Sequence, residues 1–460
     1  MDTDHQYNPK SDIPSKTTDG VEMFKVIIMG TSIGGLALAQ LLMSVPGILV
    51  TYYESGASVG DRLIESHVML SGSTLKMLRH KLRNEVWAHL ALGIGRQPEG
   101  GGKVAFFKEN GDKMLTWESY PTKDQFPVSS WQLRKALVHQ IECIIKVGNT
   151  FERYELLPKR RARVYFSDET TDECDLLVGA DGWNSTVRKQ LIPHSTAKNL
   201  EIAIIHCKVP LTPKSLGLLG SPGRSVNSLI PFASRYTPLT IEPEESYIMF
   251  VAGSQISNFC NRRCMPNCLT SAELKAELIE RTSKPGIHPR FAELAQMVCT
   301  DTAYVSTVYK CKVIRPWASQ TVTLLGDAVF NMSNVMSGSA NYALLDAISL
   351  AECLTSPKFD QCLPTSLNNY VNENIERRVR QRHRSFLMQN IMFFGRNRLQ
   401  EYVRNKALPL VLRRIDDLNG DGHGCSEDWV ADENAWRDGS CSSTWVEELR
   451  WEQLYDERHG

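Results

Sequence analysis

The chain has 460 residues, more than one small core holds, so two or three packed units are expected. Lysine plus arginine equals aspartate plus glutamate at 52 each, which leaves no net field and excludes the electrostatic footprint of a nucleic-acid binder. The composition, 42% apolar and 23% charged, is that of a globular protein; no run approaches about 18 uninterrupted apolar residues, so no membrane span is expected.

Residues 1–22 are polar, carry Pro9 and Pro14, and lack the apolar core of a secretory signal. They read as a disordered tail, with a cytoplasmic location as the default. The cysteines show no small-scaffold framework and read as reduced thiols. Cys260, Cys264 and Cys268 recur every fourth residue, but Pro266 interrupts a helix there and no fourth ligand is near, so no metal is expected.

Phe24-Lys25-Val26-Ile27-Ile28-Met29 is β-branched and apolar, a buried parallel strand. Gly30-Thr31-Ser32-Ile33-Gly34-Gly35 follows, then a helix from Leu36 to Met43 and a second strand from Ile48 to Tyr53, ending at Glu54. Strand, glycine turn, helix, strand and acid make one βαβ unit. A basic amphipathic helix is expected over Ser73 to Leu90, a hairpin around 104–107 and 114–117, and a helix from Trp131 to Lys146, where Leu133, Leu137, Ile141 and Ile145 recur every four residues. Arg163–Phe166, Asp175–Val178 and Thr321–Leu325 read as strands, and Ala340–Leu354 as a helix. Residues 200–312 shift to short strand-like pieces broken by Pro and Gly. Further on, Val371, Ile375 and Val379 share one helical face, opposite Arg377, Arg378 and Arg380. Those arginines read as the solvated face of a capping helix; the alternative is a membrane-surface helix.

The glycines after the first strand serve a physical purpose. A tight turn lets the backbone approach a pyrophosphate, and the helix N-terminus offers free N–H groups and partial positive charge. An acid about 20 residues on accepts hydrogen bonds from a ribose; Glu54 follows Gly35 by 19 residues. The middle glycine of the pattern is replaced by Ser32, whose hydroxyl can itself bond phosphate, with a shifted ligand. A glycine-rich βα turn without any ligand is the alternative on this segment alone.

Asp175-Leu176-Leu177-Val178-Gly179-Ala180-Asp181-Gly182 resembles the Asp-Gly signature of flavoprotein aromatic hydroxylases. Leu324-Leu325-Gly326-Asp327-Ala328-Val329, continued through Ala340-Asn341-Tyr342-Ala343-Leu344-Leu345-Asp346-Ala347, resembles their Gly-Asp signature, and Arg134 resembles their flavin-contacting arginine. With the glycine turn, these four ordered segments resemble the superfamily of p-hydroxybenzoate hydroxylase, in its fungal secondary-metabolite form, over about residues 24–390.

That resemblance implies an α/β fold: a Rossmann-like FAD-binding domain with an inserted mixed β-sheet substrate domain and a C-terminal helical extension. The divisions expected are 1–22 tail, 23–200 first part of the FAD domain with a small β insertion near 100–125, 201–312 substrate domain, 313–360 second part, and 361–460 extension. It implies a monooxygenase in which NAD(P)H reduces the flavin and O2 supplies the atom inserted into a small natural-product-like substrate. Gly30, Gly34 and Gly35 would frame the pyrophosphate and Glu54 the adenosine ribose. Arg134 would contact the phosphate–ribityl region, Asp327 the ribityl hydroxyls, and the turn at Ala340 and Asn341 the flavin ring. Asp181 would brace the core near the cofactor. Bland alternatives stand beside these: Asp327 a strand-end cap, Asp181 a turn residue, Arg134 a surface charge. Catalysis by the cofactor requires no nucleophilic triad, and no catalytic side chain is assigned. Phe232, Tyr236, Tyr247 and Phe250 are either pocket lining or core.

Several residues depart from the family pattern, all on the cofactor side. They are Ser32, Phe330 in place of a histidine, Asn334 in place of a proline, and Ser337 and Ser339 in place of glycines flanking Gly338. They leave two other readings open: a redox-silent cyclase or isomerase on the same fold, or a non-enzymatic flavin- or partner-binding protein. Asp417-Leu418-Asn419-Gly420-Asp421-Gly422 opens like a calcium loop, but Gly424 and Asp428 break its pattern and it reads as a solvated acidic turn.

Overall fold

The computed structural model describes residues 17–18, 21–30, 32–56, 67–95, 104–107, 110–117, 125–219, 229–232, 247–260, 264–318, 320–332, 339–356, 359–392, 403, 406–407 and 410. Within the stretch read as a tail, β1 (Thr17–Thr18) pairs antiparallel with β2 (Val21–Glu22).

The apolar run Phe24–Met29 is strand β3, with Val26, Ile27 and Ile28 fully buried. Burial of each such side chain contributes about 1.5–3 kcal/mol. The chain continues into α1 (Ile33–Leu42) and β4 (Ile48–Glu54), then β5 (His67–Ser71). The helix expected over 73–90 is two helices, α2 (Gly72–Lys81) and α3 (Asn84–Ala91). Leu82 and Arg83 between them are extended, at ψ 153° and 148°. The break lets the Arg83 guanidinium donate to the side-chain oxygens of Gln40 and Gln140, at 3.0 and 2.8 Å. No Gly or Pro announces it.

Strands β6 (Val104–Phe107) and β7 (Lys113–Trp117) form the expected hairpin, and β8 (Gln125–Ser129) pairs with β5. The second expected helix also stops early: α4 runs Ser130–Val138, and Gln140 takes φ +62°. Ile145 lies instead in β9 (Ile145–Val147), which adds to the edge of β4. Its four-residue apolar spacing continued into a strand, where it still places an apolar side chain against the sheet.

Next comes an antiparallel meander of β10 (Phe151–Leu157), β11 (Arg161–Phe166) and β12 (Thr171–Cys174), then β13 (Leu176–Gly179) and α5 (Thr186–Leu191). The long β14 (Ala197–Pro210) leads to α6 (Pro213–Leu219), β15 (Leu229–Phe232), β16 (Tyr247–Gln255), α7 (Ser271–Thr282), α8 (Pro289–Gln296) and β17 (Tyr304–Cys311). Strand β18 (Val322–Leu324), α9 (Ser339–Thr355) and α10 (Phe359–Met392) follow.

Two sheets organise these elements. One is parallel, in the order β18-β13-β3-β4-β9. The chain moves outward from β3 through β4 to β9, then crosses to β13 on the other side. That reversal leaves a crevice at the carboxyl ends of β3 and β13, where α/β sheets bind ligands. The second sheet is antiparallel, β15-β16-β14-β17. Its Ala203, Ile205, Cys207, Val209, Ile248 and Phe250 pack on Leu274 and Leu278 of α7 and Leu294 of α8. The chain is therefore α/β with a β-sheet unit inserted between β13 and β18. No helix among the described residues is long and apolar enough to cross a membrane.

Helix α10 departs from the solvated face expected of it. Tyr370, Asn374, Arg378 and Arg382, spaced four apart, are all buried. They meet strand ends and their carbonyls: the Tyr370 hydroxyl donates to the Leu324 carbonyl at 2.9 Å, and Arg382 donates to the Cys311 carbonyl. Buried backbone acceptors require such partners, so the helix buries a polar stripe alongside its apolar one.

Candidate functional site

Backbone hydrogen bonds bring the strand ends together. The Gly30 N–H donates to the Tyr53 carbonyl at 2.8 Å, Ala180 N–H to Met29 at 2.8 Å, and Leu325 N–H to Gly179 at 2.9 Å. Gly30 adopts φ +98°, and a Cβ there would lie 2.5 Å from the Asp181 Cα. At Gly34 a Cβ would meet the Ala343 carbonyl at 2.8 Å, so this glycine brings α1 hard against α9. The glycines thus do two jobs: Gly30 turns the chain, and Gly34 and Gly35 let helix and strands close up.

Ser32 is the N-cap of α1. Its Oγ accepts the Gly35 N–H at 3.1 Å, so the side chain is folded onto the helix end. The oxygen caps the helix, and its O–H proton is not consumed by that contact. The remaining first-turn N–H groups point along the helix axis toward the crevice.

Glu54 sits at the carboxyl end of β4, buried at 5% exposure. Its Oε1 accepts from Gly56 N–H at 2.7 Å and from the Ser55 hydroxyl at 3.2 Å. Arg134 is buried on α4, not a surface charge. Burial pulls its guanidinium pKa down, and the facing Tyr52 and Glu54 oppose that. The structure therefore places Arg134 beside Glu54 and Tyr52, at the β4 side of the crevice. Tyr52 donates to the Gly30 carbonyl and ties this side to the glycine turn.

On the other side, Gly326 adopts φ +65° and turns the chain after β18. Asp327 follows, with Oδ1 buried and without a hydrogen-bond partner among the described residues. Burial pushes its carboxyl up to about 6, against the pull of Arg378 and Arg188. Ala340 and Asn341 lie in the first turn of α9. The Asn341 side chain accepts the Ser71 N–H at 2.9 Å and donates to the Met69 carbonyl at 2.8 Å, which pins β5 to the helix start. Asp181 caps α5 by accepting the Thr186 and Val187 N–H groups, at 2.7 and 3.3 Å. Phe330 is fully buried core. Asn334, Ser337, Gly338, and the 417–428 loop lie outside the described residues.

Strand β5 links this crevice to the second sheet. At its far end His67 meets Tyr247 of β16, ring centroids 5.9 Å apart. The sheet face turned this way carries His206, Lys208, Tyr247, Met249, Tyr304 and Ser306, by the β14–β16 and β14–β17 registers. His206 stacks on Tyr304 at 4.7 Å and shares a hydrogen bond with Ser306 at 2.9 Å; Lys208 lies over the Tyr247 ring at 4.3 Å. Of the four aromatics expected to be lining or core, Tyr247 is on this face and Phe250 is in the helix-covered core; Tyr236 and the side chain of Phe232 lie outside the described residues. Sequence reasoning missed His67, His206 and Lys208, although His206 and Lys208 alternate with apolar Ile205, Cys207 and Val209 as a two-faced strand requires.

These histidines give the molecule an acid sensitivity. Burial pulls both His67 and His206 down to about 4; Lys208 adds to the effect at His67. The unfolded chain takes up those protons near pH 6.5, so the associated stability is whole above pH 6.5 and is lost as pH falls toward about 4. Each histidine contributes about 1–3 kcal/mol over that window. Asp327, raised toward 6, acts with the opposite sign, so the comparison must be between variants. The melting temperature of His206→Gln is expected to fall less than that of the native chain between those pH values; parallel curves would remove His206 from the account.

The sequence and the fold are similar to those of known proteins. The FAD binding domain family matches residues 158–383. A dual O-methyltransferase/FAD-dependent monooxygenase of Phaeosphaeria nodorum is 25% identical over 384 residues, 73% of this chain and 40% of that protein, so the chain spans less than half of that relative. An FAD-dependent monooxygenase of Trichoderma harzianum is 24% identical over 77% of this chain and 90% of its own length. Among solved structures, HpxO of Klebsiella pneumoniae, complexed with FAD and uric acid, superposes with a TM-score of 0.59 at 16% identity, covering 94% of this chain and 95% of that one. Residues 158–383 are thus similar to an FAD binding domain, and the chain is similar over about three quarters of its length to FAD-dependent monooxygenases and shares the fold of a solved flavoprotein.

Proposed function

We propose that the chain is a cytoplasmic FAD-dependent monooxygenase that uses NAD(P)H and O2 to hydroxylate or epoxidise a small natural-product-like molecule. The observation that carries the reading is the convergence of Gly30, Glu54, Asp327 and two helix N-termini on one edge of the parallel sheet. The donor set fits an extended dinucleotide. Carboxylates at the ends of two strands accept hydroxyl groups, one of them, Asp327, with a buried oxygen left open for a partner. A turn that no Cβ fits lets the backbone meet a pyrophosphate.

In this reading Gly30, Gly34 and Gly35 shape the pyrophosphate turn and the α1 N–H groups neutralise it. Glu54 accepts from the adenosine ribose, with Arg134 beside it balancing the charge. Asp327 accepts from the ribityl hydroxyls, and the first turn of α9 at Ala340 and Asn341 presents N–H groups to the flavin ring. Bound flavin supplies the redox chemistry, passing electrons from NAD(P)H to O2 for insertion of one oxygen atom. The polypeptide binds, orients and excludes water. In this reading His67, Tyr247, His206 and Tyr304 line the substrate side together with Lys208, and the neutral imidazoles there donate or accept hydrogen bonds.

The visible spectrum of the purified protein tests this directly. The native chain is expected to be yellow and to consume NAD(P)H and O2 with substrate. Asp327→Ala is expected to weaken FAD by roughly 10- to 100-fold, the size of a lost charge-assisted hydrogen bond. A colourless native protein that still converts substrate would overturn the oxygenase reading in favour of a redox-silent cyclase or isomerase.

A further inference from the structure

Arg378 is the least expected side chain of the fold. In sequence it stands with Arg377 and Arg380 on a face assigned to water, yet it is fully buried. Its Nε donates to the Asp346 Oδ2 at 2.7 Å, and its Nη2 stands 2.5 Å from the same oxygen. Asp346, also fully buried, accepts further from Gly326 N–H at 3.1 Å and from Arg377 Nη2 at 3.1 Å. The other edge of the guanidinium faces Asp327. Arg378 Nη1 is 3.9 Å from Asp327 Oδ1, beyond hydrogen-bond length but within strong electrostatic reach inside a protein. Neither of those two atoms has a hydrogen-bond partner among the described residues.

We propose that Arg378 is a positioning residue for the cofactor: held by Asp346, it keeps the Asp327 carboxylate ionised and turned so that a polyol chain can donate to it. The inference rests on Asp327 binding the ribityl chain. Helix α10, which lies outside the crevice, thereby sets cofactor affinity. A brace between helices needs only the Asp346 pair; it does not need the second edge directed at a strand-end acid.

The charges facing Asp327 are Arg378 from α10, Asp346 from α9 and Arg188 from α5. Arg188 is committed to carbonyls, donating to Ala328 at 2.8 Å. Of the two cations, Arg378 pulls harder on Asp327. Without it, only Arg188 opposes burial and Asp346, and the titration of Asp327 moves up. A protonated carboxyl has given up an acceptor site to its own proton. Ribityl donors therefore bind the ionised form better, and FAD affinity should rise with pH through the titration of Asp327.

The experiment is a fluorescence titration of flavin-free protein with FAD from about pH 5 to about pH 9, with melting temperatures alongside. Affinity of the native chain is expected to rise through about pH 6. Arg378→Met should move that midpoint up by about one unit, which weakens FAD roughly twofold at pH 7 and roughly tenfold near pH 5. Arg378→Lys, which keeps the charge, should hold the midpoint near native. Asp346→Asn, which removes the repelling carboxylate but keeps an amide oxygen to accept from Arg378, should move it down; this opposite shift keeps the idea exposed even where Arg378→Met does not fold. A midpoint unmoved by both Arg378→Met and Asp346→Asn, with only melting temperature altered, overturns the proposal and leaves a structural brace. Asp327→Asn binding FAD like the native chain, with no pH dependence in either, instead removes Asp327 from the cofactor site.

Discussion

Asp346→Ala is expected to cost about 3–5 kcal/mol, because it leaves Arg378 buried with its anchoring carboxylate gone. Three donors converge on that carboxylate: Gly326 N–H, Arg378 and Arg377. The nearest remaining acid is Asp327, 3.9 Å from Arg378. Desolvating an unpaired guanidinium is the dominant cost, and the Gly326 amide loses its acceptor too. Against a total stability of about 5–15 kcal/mol, the loss is large. Glu352→Ala, on the same helix, is the control. Glu352 pairs with Lys81 at 2.8 Å, but both side chains are more than 40% exposed, and such pairs contribute about 0–1 kcal/mol. Denaturant melts of the two variants settle the matter: equal midpoints would show that the buried network contributes no more than a surface pair.

The contrast between these two ion pairs also explains what the sequence disclosed. Phe24–Met29, the glycine turn and the acid at 54 were legible because a parallel strand buried on both faces is continuously apolar and its turn has few chemical solutions. The strand-end Gly326-Asp327 was legible for the same reason. Arg134 was recognised only through resemblance; nothing in its own surroundings along the chain says that α4 buries it beside Glu54. Arg378 was misread because an amphipathic pattern assigns arginine to water. The Tyr370, Asn374, Arg378, Arg382 spacing was present all along, but a polar stripe reads as solvated until its partners, Asp346 and strand-end carbonyls, are known. The breaks at Leu82 and Val138 left no mark for a different reason. They are dictated by what the chain must reach next, Gln40 for Arg83 and the edge of β4 for Ile145. His67 and Tyr247, 180 residues apart, meet only through the packing of β5 on the second sheet.

Gly30→Ala is expected to be the most damaging single methyl group in the crevice. Two costs combine. The backbone is at φ +98°, a conformation that costs an L-residue on the order of 1–3 kcal/mol. The added carbon would also lie 2.5 Å from the Asp181 Cα, 2.8 Å from its nitrogen and 2.9 Å from the Ala180 carbonyl. All three are backbone atoms at the end of β13, and none can rotate aside. Relief requires β3 and β13 to part where Ala180 N–H donates to Met29, so the Asp-Gly loop and the glycine turn move together. Gly182→Ala separates the two costs. Gly182 has φ +79°, and a methyl group added there would meet nothing within 4 Å, so it carries the conformational cost alone. Loss of about 3 kcal/mol or more, together with loss of flavin, is expected for Gly30→Ala, and about 1 kcal/mol with flavin retained for Gly182→Ala. Since the crowding atoms belong to the strand ends that frame the crevice, cofactor and stability should fail together at Gly30; a stable Gly30→Ala protein with native FAD affinity would mean that the crevice between β3 and β13 is not where the dinucleotide lies.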